Sequence, residues 1–117
     1  MTFSTTRVGS DVTVVRVEGQ LIVGNRQELK TVIEQALGQG ARKLVIDCTD
    51  TGYIDSSGLG ALVTMARKAR EQGGELRLAG LNDDLRSLFA LTKLDTLFMI
   101  GSTVDEALES FRGGGGR

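Results

Sequence analysis

A short hydroxyl-bearing segment, Asp-Ser-Ser-Gly-Leu-Gly at residues 55–60, holds the side chains of this sequence best placed for covalent chemistry. It follows an apolar strand pattern and precedes a helical one, so its serines lie at a predicted helix N-terminus. Free backbone N–H groups and the positive end of the helix dipole make such a position tolerant of an anion. A phosphate on a serine here, such as Ser57, would therefore be tolerated. Gly58 and Gly60 each cost about 1 kcal/mol of helix propensity against alanine, and we expect them to keep the Ser57 hydroxyl accessible.

The same segment has a purely structural interpretation. Asp55 ahead of an apolar helix is also what ordinary N-capping looks like, because a carboxylate accepts hydrogen bonds from the first free N–H groups. On these residues alone, capping and modification both stay open.

Residue types that most hydrolytic enzymes need are missing from the sequence. It has no histidine and one cysteine, which removes Ser-His-Asp and Cys-His nucleophiles and the usual zinc ligands. No Gly-x-Ser-x-Gly motif surrounds Ser57, and no lysine lies near it. Asp47 and Asp50 are two carboxylates without further ligands, and we expect them to cap a loop. We therefore expect no catalytic residue, no metal site and no cofactor.

Composition narrows the class of protein further. The 14 basic and 15 acidic residues leave a net charge of −1, so the chain lacks the basic surface that nucleic-acid binding requires. No apolar run approaches ~18 residues, so no transmembrane helix is expected. The N-terminus lacks the apolar centre of a signal peptide, and Cys48, the single cysteine, is expected to be buried. We expect a cytoplasmic protein that binds neither nucleic acid nor a membrane.

Strand and helix patterns alternate along the chain, which predicts an α/β fold with a mixed sheet. Residues 11–18 alternate as a strand and are expected to pair with residues 3–8 in a hairpin. Continuous apolar character at residues 44–46 predicts a strand buried on both faces. Two further strands are predicted at residues 75–79 and 97–100, and a loop at residues 49–54.

Apolar periodicity and capping signals predict four helices. They are placed at residues 25–38, at residues 57–72, after Asn82 and after Thr103. Asn25 and Glu28 have the spacing of a capping box. Met65 and Met99 are expected to fill the core. One domain of four to five strands and about four helices is expected over residues 1–112, followed by a flexible glycine-rich tail at residues 113–117.

Three segments of the sequence resemble those of the STAS domain, a family named for sulphate transporters and anti-sigma factor antagonists. Gly-Gln-Leu at residues 19–21 is similar to the family's Gly-Glu-Leu ahead of its first helix. Val-Ile-Asp at residues 45–47, followed by Tyr-Ile-Asp-Ser-Ser-Gly-Leu-Gly at residues 53–60, closely matches the signature strand, loop and helix start. Gly-Gly-Glu-Leu-Arg-Leu at residues 73–78 resembles the strand that comes next.

The resemblance covers residues 12–111 and implies a fold and a function. The implied fold is a mixed sheet with helices packed on it, and the implied role is partner switching. In the family, an anti-sigma factor with serine kinase activity phosphorylates the second serine of the string, and a serine phosphatase reverses the modification. Here that serine is Ser57, framed by Asp55 and Ser56. The unmodified form then binds the anti-sigma factor and frees the sigma factor, and phosphorylation switches the protein off.

The sequence departs from the family pattern beside the expected docking surface. Gln20 replaces a glutamate, and Ile22 stands where many members have an aspartate. Ile22 either supplies an apolar contact together with Val23 or packs inward. The residues expected to contact the partner are Gln20, Ile22, Asp55, Ser56, Ser57, Gly58, Leu59 and Gly60.

A second function stays open beside the phosphorylation switch. In this alternative, the domain serves as a STAS scaffold or ligand-sensing module in a larger signalling complex, without regulation by phosphorylation. The loss of the acidic pair favours it. The basic side chains of Arg67, Lys68 and Arg70 either form a solvated helix face or attract an acidic partner.

Overall fold

Two β-sheets and four α-helices make up the part of the chain that the computed structural model describes, residues 2–115. The strands are β1 (Phe3–Val8), β2 (Val12–Val17), β3 (Gly19–Leu21), β4 (Lys43–Asp47), β5 (Thr51–Ile54), β6 (Glu75–Ala79) and β7 (Ile100–Gly101). The helices are α1 (Arg26–Gly38), α2 (Ser56–Glu71), α3 (Asp83–Leu91) and α4 (Val104–Gly115).

The main sheet has five strands in the order β1-β2-β4-β6-β7. β1 is antiparallel to β2, whereas β2, β4, β6 and β7 run parallel to one another, so the predicted mixed sheet is confirmed. β4 lies at its centre, and Leu44, Val45 and Ile46 are each 0% exposed, as the continuous apolar run predicted. Parallel strands need this cover on both faces because their crossover helices pack there.

Successive side chains of β4 enter two different cores. Leu44 and Ile46 belong to the larger cluster, which the inner faces of α1, α2 and α3 cover. Val45 points to the other face, where Ala107 and Phe111 of α4 pack against the sheet. This two-sided arrangement follows from the period of two in strand side chains and from the apolar stripe of each helix.

The small sheet corrects one prediction. Residues 49–54 were expected to form a loop, but β5 pairs there with β3 in a parallel two-stranded sheet. The Thr51 hydroxyl donates to the Val17 carbonyl at 2.7 Å, and the Gly19 N–H donates to the Asp50 carbonyl at 2.9 Å. Arg16 of β2 also forms an ion pair with Asp50. These long-range contacts stabilise β5 as a strand, and they cannot be predicted from its short Thr-Gly-Tyr-Ile sequence.

The C-terminal part also differs from the sequence prediction in three details. A 3₁₀ turn at Leu94–Thr96, entered through Lys93 with φ of +64°, delays the last strand to Ile100–Gly101. Met99 is consequently 56% exposed and is not core filler, whereas Met65 is 2% exposed, as expected. α4 continues through Gly115, into the segment expected to be a flexible tail, and residues 116–117 lie outside the described residues.

Cys48 is buried as expected, with 2% of its surface exposed. Loss of hydration raises the pKa of its thiol to about 12 from the ordinary value of 9.0. The folded chain therefore holds this proton more tightly than the unfolded chain does.

We predict a specific loss of stability at high pH. The unfolded thiol ionises near its ordinary pKa of 9.0, whereas the folded thiol keeps its proton until about 12, so this contribution is lost as pH rises through that window. Urea denaturation at pH 8 and pH 10.5 measures the effect. The variant Cys48→Ala, which has no thiol to ionise, should lose less of its free energy of unfolding over the same range. Equal losses in the two proteins would contradict the prediction.

Candidate functional site

The candidate site lies where the small sheet ends. β3 and β5 run parallel, with Gln20 opposite Tyr53 and Leu21 opposite Ile54. Parallel strands end at the same edge, so the segments that lead into α1 and α2 meet there. The sheet thus brings the residue 20–25 segment beside the Asp-Ser-Ser string, although the two are about thirty residues apart in sequence.

The carboxylate of Asp55 joins the two segments. One oxygen, Oδ1, accepts a hydrogen bond from the Gly58 N–H at 2.8 Å and caps α2. The other oxygen, Oδ2, accepts from the Val23 N–H at 3.1 Å. The Asp55 N–H also donates to the Leu21 carbonyl at 3.1 Å. The structural interpretation of Asp55 as an N-cap is therefore confirmed. The side chain also holds the segment between β3 and α1 in place through Val23.

Gly58 and Gly60 have different roles, contrary to the expectation that both keep Ser57 accessible. A Cβ at Gly58 would lie 2.4 Å from the Leu21 carbonyl oxygen and 2.9 Å from Cγ2 of Ile54, so only glycine lets α2 approach β3 this closely. A Cβ at Gly60 would meet no atom within 4 Å. Gly58 is required for packing inside the domain, whereas Gly60 borders open space.

Asn25 does not act as the predicted capping residue. Its φ of −132° and ψ of 2° lie outside the extended region, and its side chain makes no cap hydrogen bond to α1. Instead, Oδ1 accepts from the Ile22 N–H and Nδ2 donates to the Gln20 carbonyl, both at 2.9 Å. The capping box with Glu28 is absent, and Asn25 closes the turn that precedes the helix.

The two serines occupy the first turn of α2. Ser56 is its first residue and is exposed, and Ser57 follows and is partly exposed. Neither hydroxyl forms a hydrogen bond within residues 2–112, where no buried side-chain oxygen or nitrogen lacks a partner. The unpartnered Ser57 hydroxyl is therefore in contact with solvent.

The other residues predicted to contact the partner differ in their exposure. Leu59 is 9% exposed and belongs to the larger core, which leaves it little surface to offer a partner. Gln20 and Gly60 are exposed, and Ile22 is partly buried. Ile22 was expected either to supply an apolar contact or to pack inward, and its partial burial does not decide between the two.

Two exposed apolar side chains beside the serines were not among the residues predicted to contact the partner. Val23 is 63% exposed, and Tyr53 is 57% exposed. Burial along β5 does not alternate, because Thr51 and Ile54 are buried while Gly52 and Tyr53 are exposed, so no strand pattern signals the exposure of Tyr53. Val23 is held outward through its N–H bond to Asp55, which no local pattern predicts.

The charged residues near the site have structural partners. Asp47 caps its loop as expected, because Oδ1 accepts from the Thr49 N–H at 3.0 Å and from the Thr49 hydroxyl at 2.6 Å. Asp50 instead pairs with Arg16, and that contact raises the pKa of the Arg16 guanidinium. Among the described residues, no group of three or more histidine, cysteine or acidic side chains could hold a metal ion.

Of the basic cluster on α2, Lys68 forms an ion pair with Glu34 of α1 at 2.8 Å. Arg67 and Arg70 are exposed and have no ion pair within residues 2–112. None of the helices in the described part of the chain has the length and apolar character needed to cross a membrane.

Comparison with known proteins identifies the fold and its family. The family model for the STAS domain matches residues 4–107. The chain belongs to the STAS domain family. An anti-sigma-B factor antagonist of Staphylococcus aureus is 30% identical to this STAS chain over 86 residues, which cover 74% of the chain and 80% of the relative.

Solved structures agree with this assignment. TM1081 from Thermotoga maritima matches this STAS domain with a TM-score of 0.87 at 28% identity, over 94% of each chain. An anti-sigma factor antagonist from Mycobacterium paratuberculosis matches with a TM-score of 0.81 at 26% identity, also over 94% of each chain. SpoIIAA shares the fold in its unphosphorylated form, with a TM-score of 0.82 at 23% identity over 95% of this chain and 96% of that one.

The two glycines of α2 give opposite predictions for stability. Gly58→Ala should lower the free energy of unfolding by about 3 kcal/mol, since its methyl group collides with the Leu21 carbonyl. Gly60→Ala should raise it by up to about 1 kcal/mol, because alanine favours the helix and its methyl group enters open space. Urea denaturation of the two variants tests the contrast. Similar effects of both substitutions would contradict the distinction between a packed and an open glycine.

Proposed function

We propose that this protein is an anti-sigma factor antagonist whose activity is switched by phosphorylation of Ser57. In the unphosphorylated state it binds an anti-sigma factor that has serine kinase activity, and the sigma factor is released. A serine phosphatase restores this state. The observation that carries the proposal is the Ser57 hydroxyl, which is free of hydrogen bonds within the described residues and contacts solvent in the first turn of α2.

The position of Ser57 is suited to a reversible charge. A phosphate adds about −1.5 to −2 charges at pH 7. At the second residue of α2 it would gain roughly 0.3–1 kcal/mol from the helix dipole. Two residues from the Asp55 carboxylate and inside a protein contact, the same charge would meet repulsion and a desolvation cost. Phosphorylation therefore blocks docking without unfolding the domain.

The docking surface consists of residues around this hydroxyl: Gln20, Ile22, Val23, Tyr53, Asp55, Ser56, Ser57 and Gly60. Its exposed apolar area comes from Val23 and Tyr53, which compensates for the acidic residues that Gln20 and Ile22 replace. Leu59 and Gly58 support this surface from behind. The protein itself acts by binding, and we assign it no catalytic residue.

The alternative, a STAS scaffold in a larger signalling complex, is favoured by one observation. The docking surface carries Gln20 and Ile22 where the family pattern has acidic residues, and in a scaffold the exposed Val23 and Tyr53 would supply apolar contact that needs no change of phosphorylation state.

Mapping the modified residue distinguishes the two functions. The purified chain is incubated with ATP and the kinase that co-purifies with it, and the phosphate is located by peptide mass spectrometry. We expect one phosphate on Ser57, loss of labelling in Ser57→Ala, and unchanged labelling in the matched control Ser56→Ala. Phosphate on Ser56 or elsewhere would refute the assignment of Ser57, and absence of labelling would favour the scaffold.

A mimic of the phosphate should separate binding from stability. Ser57→Asp is expected to weaken binding to the anti-sigma factor at least about tenfold, while the helix dipole keeps the melting temperature within a few degrees. Ser56→Asp places the same charge one residue earlier and serves as the control, with a smaller effect on affinity. Calorimetry measures both quantities. A large drop in the melting temperature of Ser57→Asp would indicate a structural serine instead.

A further inference from the structure

The chain passes from β3 to α1 through a short turn at residues 22–25, which we call the docking turn. The Asn25 amide closes this turn, since Oδ1 accepts from the Ile22 N–H and Nδ2 donates to the Gln20 carbonyl, both at 2.9 Å. The Asn25 N–H also donates to the Ile22 carbonyl at 3.1 Å. One side chain thus ties the residue before α1 to the end of β3.

The two side-chain bonds of Asn25 require an amide. A carboxylate at this position could accept from the Ile22 N–H but could not donate to the Gln20 carbonyl, and an aliphatic side chain could do neither. A flipped amide would point its NH₂ group at the Ile22 N–H, so the two partners also fix which way the group is oriented. The closed form of the docking turn therefore depends on this asparagine.

The same amide is withheld from the helix that it precedes. A residue at this position normally uses its side-chain oxygen to accept from the first free N–H groups of the helix. Within the described residues, Asn25 forms no such bond to α1. Neither Ile22 nor Val23 is among the core residues of the described chain. The amide consequently stabilises the shape of the docking turn rather than a helix end or the core.

The docking turn presents the side chain of Val23, which is 63% exposed. Its backbone is held from the other side, because Asp55 Oδ2 accepts from the Val23 N–H at 3.1 Å. A β-branched side chain has little rotamer freedom, so fixing the backbone also fixes the direction of Val23. A segment that is already ordered avoids the entropic cost of ordering when a partner binds. The turn is thus prepared for a partner that has an apolar recess at this point.

We infer that Asn25 is a positioning residue for partner binding: by closing the docking turn, it holds Val23 in the orientation that an apolar recess of the anti-sigma factor accepts. This inference rests on the proposed function. In the part of the chain that the structure describes, the Asn25 side chain forms no hydrogen bond to α2, so it acts on docking and leaves Ser57 unaffected.

A double-mutant cycle on binding tests this assignment. The partner is the anti-sigma factor that co-purifies with the chain, and calorimetry measures the affinity. Asn25→Ala and Val23→Ala should each bind about tenfold more weakly. The combined variant should bind within about threefold of Val23→Ala, because two residues that act through one contact are not additive. Additive losses of about a hundredfold, or parental affinity in Asn25→Ala, would overturn the inference.

Thr103→Ala is the matched control for stability. The Thr103 hydroxyl accepts from the Glu106 N–H at 3.1 Å at the start of α4, which packs on the opposite face of the main sheet from α1. Its loss should lower the melting temperature by a few degrees, as Asn25→Ala does, while affinity stays within twofold of the parent. An equal loss of affinity in both variants would assign the effect to general destabilisation and end the positioning role.

Phosphorylation kinetics give a readout that a merely structural role would not produce. With the co-purified kinase and ATP, Asn25→Ala should raise the KM for the chain about tenfold and leave kcat within twofold, since Ser57 and α2 are unchanged. A lowered kcat with an unchanged KM would place the effect at the phosphate acceptor and contradict the inference. If Asn25→Ala does not fold, Asn25→Asp, which loses only the donor to Gln20, replaces it in the binding and kinetic measurements.

Hydrogen exchange of the free chain separates this inference from the proposed function, because it needs no partner. The Ile22 and Val23 amides should exchange at least about tenfold faster in Asn25→Ala than in the parent. Unchanged exchange would overturn the positioning role of Asn25 while the proposed function stands. If the parent chain binds no anti-sigma factor, the proposed function fails, and the inference fails with it.

Discussion

The site depends on the two hydrogen bonds that the Asp55 carboxylate accepts from the backbone. Its two oxygens bond to the backbone of two different segments, Val23 and Gly58, so a single side chain sets both the start of α2 and the position of the loop beside it. Such charge-assisted bonds to N–H groups are stronger than neutral ones. The close approach of Gly58 to Leu21 then prevents the helix from shifting. The serines are consequently presented from a rigid support rather than from a mobile loop.

The small sheet explains why this support exists. Without the pairing of β3 and β5, the segments that contain Val23 and Asp55 would leave the main sheet at separate points. Arg16 and Thr51 tie the base of the small sheet to β2, and the buried β2–β4–β6 region holds that base in place. The apolar core therefore determines the geometry of the docking surface through a short chain of hydrogen bonds.

The sequence predicted most elements of the main sheet and its helices, because their patterns are local: continuous apolar character in β4, apolar periodicity in α2, and Asp55 at its N-terminus. Features decided by distant contacts were missed. β5 is held by bonds to β2 and β3, and Asn25 turns back to Gln20 rather than forward to α1. The exposure of Met99 depends on the left-handed conformation of Lys93. None of these contacts is encoded within a few neighbouring residues.

The sealed position of Cys48 limits the kinds of signal that this protein can register. Oxidants attack the thiolate form of cysteine, and this sulfur both keeps its proton and lies beneath the surface. Because the chain has no other cysteine, peroxide and disulfide reagents find no thiol to modify in the folded domain. A signal carried by thiol oxidation must then be sensed by other proteins before it reaches this one.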